Sequence, residues 1–181
     1  EDVVYGKVEE SEAVSPSRAI GRARPGGDPD LIKQAVKILS EANSSMIFAG
    51  GGVWWSQAYD ELRQLVERMG IPFYTSPMSR GLLPDDHEMS FPAARSSAFR
   101  GADVVLVVGT RMNWMMTFGK RIAAESKLIQ IDIHGEELGH NRSIDVGIEG
   151  DAKTVLQQMI DEAERSGFES KAKSKWIDDL R

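Results

Sequence analysis

The chain has 181 residues, of which 41% are hydrophobic and 28% charged, the balance of one soluble globular domain with a real core. Its net charge of −6 opposes general binding to a nucleic-acid backbone, and no apolar run approaches the roughly 20 residues needed to cross a bilayer. With no cysteine, disulfides, thiolate catalysis and cysteine metal sites are excluded, and a reducing, cytoplasmic setting is expected.

Residues 1–29 lack periodicity and end in Arg24-Pro25-Gly26-Gly27-Asp28-Pro29, which reads as an interdomain linker. The first residues, Glu1-Asp2-Val3-Val4-Tyr5, have neither a basic start nor an apolar stretch, and a piece trimmed from something longer is expected. Asp28-Pro29 is a helix start, followed at helical spacing by Leu31, Ile32, Ala35, Val36, Ile38 and Leu39. Met46-Ile47-Phe48-Ala49 predicts a buried strand ended by Gly50-Gly51-Gly52. Ala58 to Met69 predicts a second helix, closed by Gly70. Ile71 to Tyr74 predicts another strand and Ala93 to Arg100 a short helix. Val104-Val105-Leu106-Val107-Val108 is the strongest strand, and its unbroken run suits burial on both faces of a parallel sheet. A helix is predicted over Trp114 to Ala124, strands over Leu128–Ile133 and Ile144–Ile148, and a helix from Asp151 to about Ser166. The segment 167–181 reads as a C-terminal linker or helix, so the domain proper spans 30–166. This alternation predicts an α/β fold: a three-layer, doubly wound parallel sheet of five to six strands, Rossmann-like.

In such a sheet, ligands bind beyond the carboxyl ends of the strands. Gly50, Gly51 and Gly52 there permit a close approach of backbone to phosphate, or simply make a tight turn; the G-x-G-x-x-G spacing is absent. Arg111 either grips a phosphate or pairs with a carboxylate. Asn113 is placed to cap the segment after it. Asp132 either accepts from ribose hydroxyls or caps a turn, and Asp151 reads first as a helix cap. His87, His134 and His140 have no metal-site spacing, and no nucleophile elbow occurs.

Taken in order, Phe48-Ala49-Gly50-Gly51-Gly52, Gly70-Ile71-Pro72-Phe73, Gly81-Leu82-Leu83-Pro84-Asp85-Asp86-His87, Gly101-Ala102-Asp103-Val104-Val105 and Gln130-Ile131-Asp132-Ile133 resemble the central domain of thiamine-diphosphate-dependent enzymes. Thr110-Arg111-Met112-Asn113-Trp114 with Phe118-Gly119, and Glu136-Glu137-Leu138-Gly139-His140-Asn141, are similar to the oxalyl-CoA decarboxylase and 2-hydroxyacyl-CoA lyase branch rather than to acetolactate synthases. The resemblance implies a DHS-like nucleotide-binding domain inside a homodimeric or homotetrameric parent. There, an N-terminal pyrimidine-binding domain and a C-terminal diphosphate-binding domain hold thiamine diphosphate and Mg2+. The central domain carries ADP in the acyl-CoA branch and FAD in acetolactate synthases. It implies no catalytic residue here. Arg111 would meet phosphate, Asp132 ribose, and Ile133, Asp151 and Ala152 the adenine side, while Ala94, Arg95 and Ser96 would lie near the acyl-CoA substrate. One departure is Gly51, where the branch often has lysine; another is the bulk of Trp54-Trp55.

Overall fold

The computed structural model describes residues 5–12, 21, 23–168 and 174–181. Parts of the two expected linkers, 1–4, 13–20, 22 and 169–173, lie outside the described residues.

Five strands, Ser45–Ala49 (β1), Phe73–Thr75 (β2), Val104–Val108 (β3), Lys127–Asp132 (β4) and Val146–Glu149 (β5), form one sheet in the order β2-β1-β3-β4-β5. Every pairing is parallel, as the alternation of elements predicts. The helices are Pro29–Glu41 (α1), Gly51–Ser56 (α2), Tyr59–Met69 (α3), Arg95–Gly101 (α4), Ala152–Arg165 (α5) and Ser174–Leu180 (α6).

Strand side chains alternate between faces, so β3 feeds two cores. Val104, Leu106 and Val108 join Ile47, Ala49, Ile129 and the apolar stripes of α1, α3 and α5. Val105 and Val107 join Met46, Phe48, Leu128, Ala98, Phe99 and Leu180 on the other face. On that second face the covering elements are short: α4, α6 and a turn segment. Trp176 of α6 packs there and donates its indole N–H to the Ser45 carbonyl at 3.0 Å.

Asp28 starts α1 in the expected manner, accepting from the amides of Asp30 at 2.8 Å and Leu31 at 3.3 Å. Asp28→Ala is expected to lower stability by about 1 kcal/mol, through two amides left to water; urea unfolding at unchanged m-value checks it.

The helix expected over Trp114 to Ala124 does not form. Residues Trp114–Gly119 make 3-10 turns, with Thr117 and Phe118 both left-handed at φ 52° and 53°. The carbonyls of this stretch find a partner outside it. The Arg142 guanidinium takes those of Gly119 at 2.9 Å, Ile122 at 2.7 Å and also Ala123. A distant cation satisfies what a helical ladder would have satisfied locally.

The strand order changes direction beside β1. The chain leaves β1 toward β2 and returns on the other side through β3. The segments that follow β1 and β3 therefore lead to opposite faces of the sheet and leave a crevice between them. The register brings Ala49, Val108, Ile131 and Ile148 level, so the residues that follow each strand share one edge.

Candidate functional site

At that edge lies a cavity of ≈ 880 Å³. Its floor is backbone. The Gly50 amide donates to the Val108 carbonyl at 2.8 Å and the Gly52 amide to the Gly109 carbonyl at 2.8 Å. A Cβ on Gly52 would stand 2.7 Å from the Gly109 Cα. Side chains are thus excluded where the two turns meet, and a ligand can approach the main chain closely. Gly51 and Gly52 line the cavity, while Gly50 is buried beneath it.

The structure brings Arg111, Asp132, Ile133, Asp151 and Ala152 together around this cavity. Arg111 leaves β3 with its side chain 61% exposed, and its Nε lies 2.9 Å from the Glu137 carboxylate. Asp132, almost fully buried, accepts from the His134 amide at 3.1 Å. Asp151 caps α5, accepting from Lys153 N at 3.2 Å and Thr154 N at 3.4 Å. Each of the more ordinary readings of these three side chains is met, and all three still face one space. Asn113 caps the turn after it, accepting from Met115 N at 3.0 Å.

Among Ala94, Arg95 and Ser96, only Arg95 borders the cavity. Its guanidinium sits 5.3 Å from the Phe48 ring centre and 5.8 Å from that of Phe99. Trp55 lines the mouth, whereas Trp54 packs edge-on against Tyr59.

Sequence reasoning missed Arg24. The segment before α1 docks on α5: the Asp151 amide donates to the Pro25 carbonyl at 2.8 Å, and Gln158 bonds Gly27 through both its amide atoms. This places Arg24 on the cavity wall, donating to the Ser56 carbonyl at 2.6 Å and to the Asp151 carboxylate at 3.1 Å. The Ser56 hydroxyl ties the cluster together, donating to Asp151 at 3.0 Å and accepting from Lys153 N at 2.8 Å. Arg121 was also missed. No short-range signal marks either residue.

Burial raises the Asp132 carboxyl above the usual carboxylate range; the His134 amide opposes the rise, and the Glu137 charge adds to it. The folded protein therefore holds the Asp132 proton more tightly than the unfolded chain does. Its contribution to stability falls as pH rises from the ordinary carboxylate value through the raised one. Asp132→Asn keeps an oxygen for the His134 amide and removes the buried charge. The variant is expected to melt above the parent at pH 7, with the gap closing as the pH is lowered toward 4; thermal melts across that range check the sign.

Among the described residues, no group of three or more His, Asp or Glu side chains is placed to hold a metal ion, and no helix is long and apolar enough to cross a membrane.

A parallel sheet covered on both faces, with a glycine-floored cavity at its direction change, defines a doubly wound α/β domain. The chain belongs to the family of thiamine pyrophosphate enzyme central domains, whose sequence pattern matches residues 32–159. It is 39% identical over 186 residues to the 2-hydroxyacyl-CoA lyase of Arabidopsis thaliana, covering 99% of this chain and 32% of that protein. It is also 39% identical over 141 residues to the oxalyl-CoA decarboxylase of Escherichia coli K12, covering 77% of this chain and 25% of that protein. A putative thiamin diphosphate-dependent enzyme from Mycobacterium smegmatis shares the fold, with a TM-score of 0.65 at 21% identity, over 83% of this chain and 31% of that one. The chain thus spans about a quarter to a third of the length of the curated relatives it matches.

Proposed function

We propose that this chain is the middle domain of a thiamine-diphosphate-dependent enzyme of the 2-hydroxyacyl-CoA lyase or oxalyl-CoA decarboxylase kind, and that its cavity holds an ADP-type nucleotide. The observation that carries the nucleotide reading is the convergence of Arg111 and Asp132 on one glycine-floored cavity. A phosphate-gripping cation, a carboxylate for ribose hydroxyls and exposed main chain are the groups a nucleoside diphosphate needs.

In this reading Arg111 turns from Glu137 to the diphosphate, Asp132 accepts from the ribose, and Ile133 and Ala152 flank the base. Ala94, Arg95 and Ser96 stand toward the acyl-CoA substrate. Thiamine diphosphate, when bound to the parent, takes up the carbanion formed beside the acyl-CoA carbonyl. In this reading thiamine diphosphate and Mg2+ are held by the N- and C-terminal domains of the same enzyme. The chain alone is expected to be inactive, and the parent to be a homodimer or homotetramer in the cytoplasm.

Calorimetric titration of the 181-residue chain with ADP, and separately with FAD, tests the reading. Saturable ADP binding supports it. FAD in preference to ADP points to an acetolactate-synthase-like parent. Binding of neither leaves the domain a structural spacer and overturns the nucleotide claim.

A further inference from the structure

Exposed apolar side chains gather at the mouth of the cavity. Trp55, Met78, Met115 and Ile133 all line it, and all are exposed. They come from four separate segments: α2, the turn after β2, the turn after β3 and the end of β4. A lone exposed apolar side chain is ordinary, but a ring of them around one concave site marks a surface that a ligand covers. Trp55 is the extreme member, at 76% exposure. The Trp54 ring beside it packs edge-on against Tyr59, whereas among the described residues no aromatic ring packs on that of Trp55.

The main chain beneath Trp55 is nonetheless anchored. The next residue, Ser56, donates its hydroxyl to Asp151 at 3.0 Å, accepts from the Lys153 amide at 2.8 Å, and offers its carbonyl to Arg24 at 2.6 Å. These bonds pin the end of α2 to the start of α5, so Trp55 stands at the corner of the cavity that holds Asp151 and Ala152. An indole has only two side-chain torsions, so on an anchored backbone it gives a large flat contact at a small entropic cost.

We propose that Trp55 is the platform on which the base of the nucleotide stacks, and that it makes the cavity select purine over pyrimidine nucleotides by ring area. The inference rests on the nucleotide reading above, which sets the base beside Ile133 and Ala152, and it adds what covers the open face of that base. Stacking on an indole uses the π-face that every base has, and a fused double ring covers more of the indole than a single ring does. Arg111 and Asp132 take the phosphates and the ribose, so Trp55 acts on affinity through the base alone.

The test is titration of the 181-residue chain with ADP, UDP, adenosine and inorganic diphosphate, followed by calorimetry and by tryptophan fluorescence. Of the four tryptophans, Trp55 alone lines the cavity, and its exposure lets Trp55→Ala be made without opening the core; circular dichroism verifies the fold. In the parent, ADP is expected to bind about fivefold more tightly than UDP and to quench the fluorescence. Trp55→Ala is expected to weaken ADP and adenosine by about tenfold, the worth of one base–aromatic stack, to weaken UDP less, and to leave inorganic diphosphate unchanged. Trp55→Phe keeps a flat ring and is expected to hold ADP within about threefold of the parent while losing the quench. ADP binding to Trp55→Ala within about twofold of the parent, or a loss shared equally by UDP or inorganic diphosphate, overturns the platform and leaves the nucleotide reading standing. Absence of ADP, UDP and adenosine binding to the parent overturns both.

Discussion

Gly109→Ala is expected to lower the stability of the chain by roughly 2–5 kcal/mol, from left-handed strain of about 1–2 kcal/mol and a backbone clash of about 1–3 kcal/mol. Gly109 sits at φ 59°, where an L side chain is disfavoured. An added Cβ would stand 2.7 Å from the Gly52 Cα and 3.0 Å from both the Gly52 carbonyl carbon and the Val53 nitrogen. Those atoms are main chain held by the Gly52-to-Gly109 hydrogen bond, so no side chain can swing away. For a domain of this size the loss corresponds to a melting temperature lower by roughly 4–20 °C. Gly81→Ala is the control. Gly81 has φ 86° but open space around its Cβ position, so it reports strain without clash. Should Gly109→Ala cost no more than Gly81→Ala in urea unfolding, the close contact of the turns after β1 and β3 is not what shapes the cavity floor.

The same contact explains what could be read in the chain beforehand. Val104 to Val108 announces a strand buried on both faces because every side chain is apolar and four are β-branched. The glycines after Ala49 and Val108 announce turns at the carboxyl ends, and a parallel sheet places those turns side by side. Fold and the Arg111–Asp132 edge therefore follow from local pattern plus one topological rule. Trp114 to Ala124 misleads for the opposite reason. Its conformation is decided by Arg142, about twenty residues away, whose guanidinium removes the need for a helical ladder. Arg24 was invisible because its meaning lies 127 positions off, at Asp151. Arg121, within the stretch expected to be a helix, becomes notable only when the fold sets it on the cavity wall.

Arg111→Ala is expected to weaken ADP binding by about 10- to 100-fold, the range spanned by a hydrogen bond to a charged group worth roughly 1.5–3 kcal/mol. Arg111 lines the cavity with Gly51 and Gly52 and is free to change partners, being held by one carboxylate and largely open to solvent. A diphosphate offers it more negative charge than Glu137 and a geometry that accepts both prongs of the fork. Three comparisons separate this role from a structural one. Adenosine, lacking phosphate, should bind parent and variant alike. Arg111→Lys keeps the charge and loses the fork, so it should recover only part of the affinity. Glu137→Gln removes the competing carboxylate and should leave ADP binding equal to or tighter than the parent's. The affinity of the parent should also fall with added salt more steeply than that of Arg111→Ala, because the contact lies where ions screen it. If ADP binds Arg111→Ala within twofold of the parent, with the same salt slope, the phosphates do not sit at the end of β3, and the placement of the ribose at Asp132 fails with them.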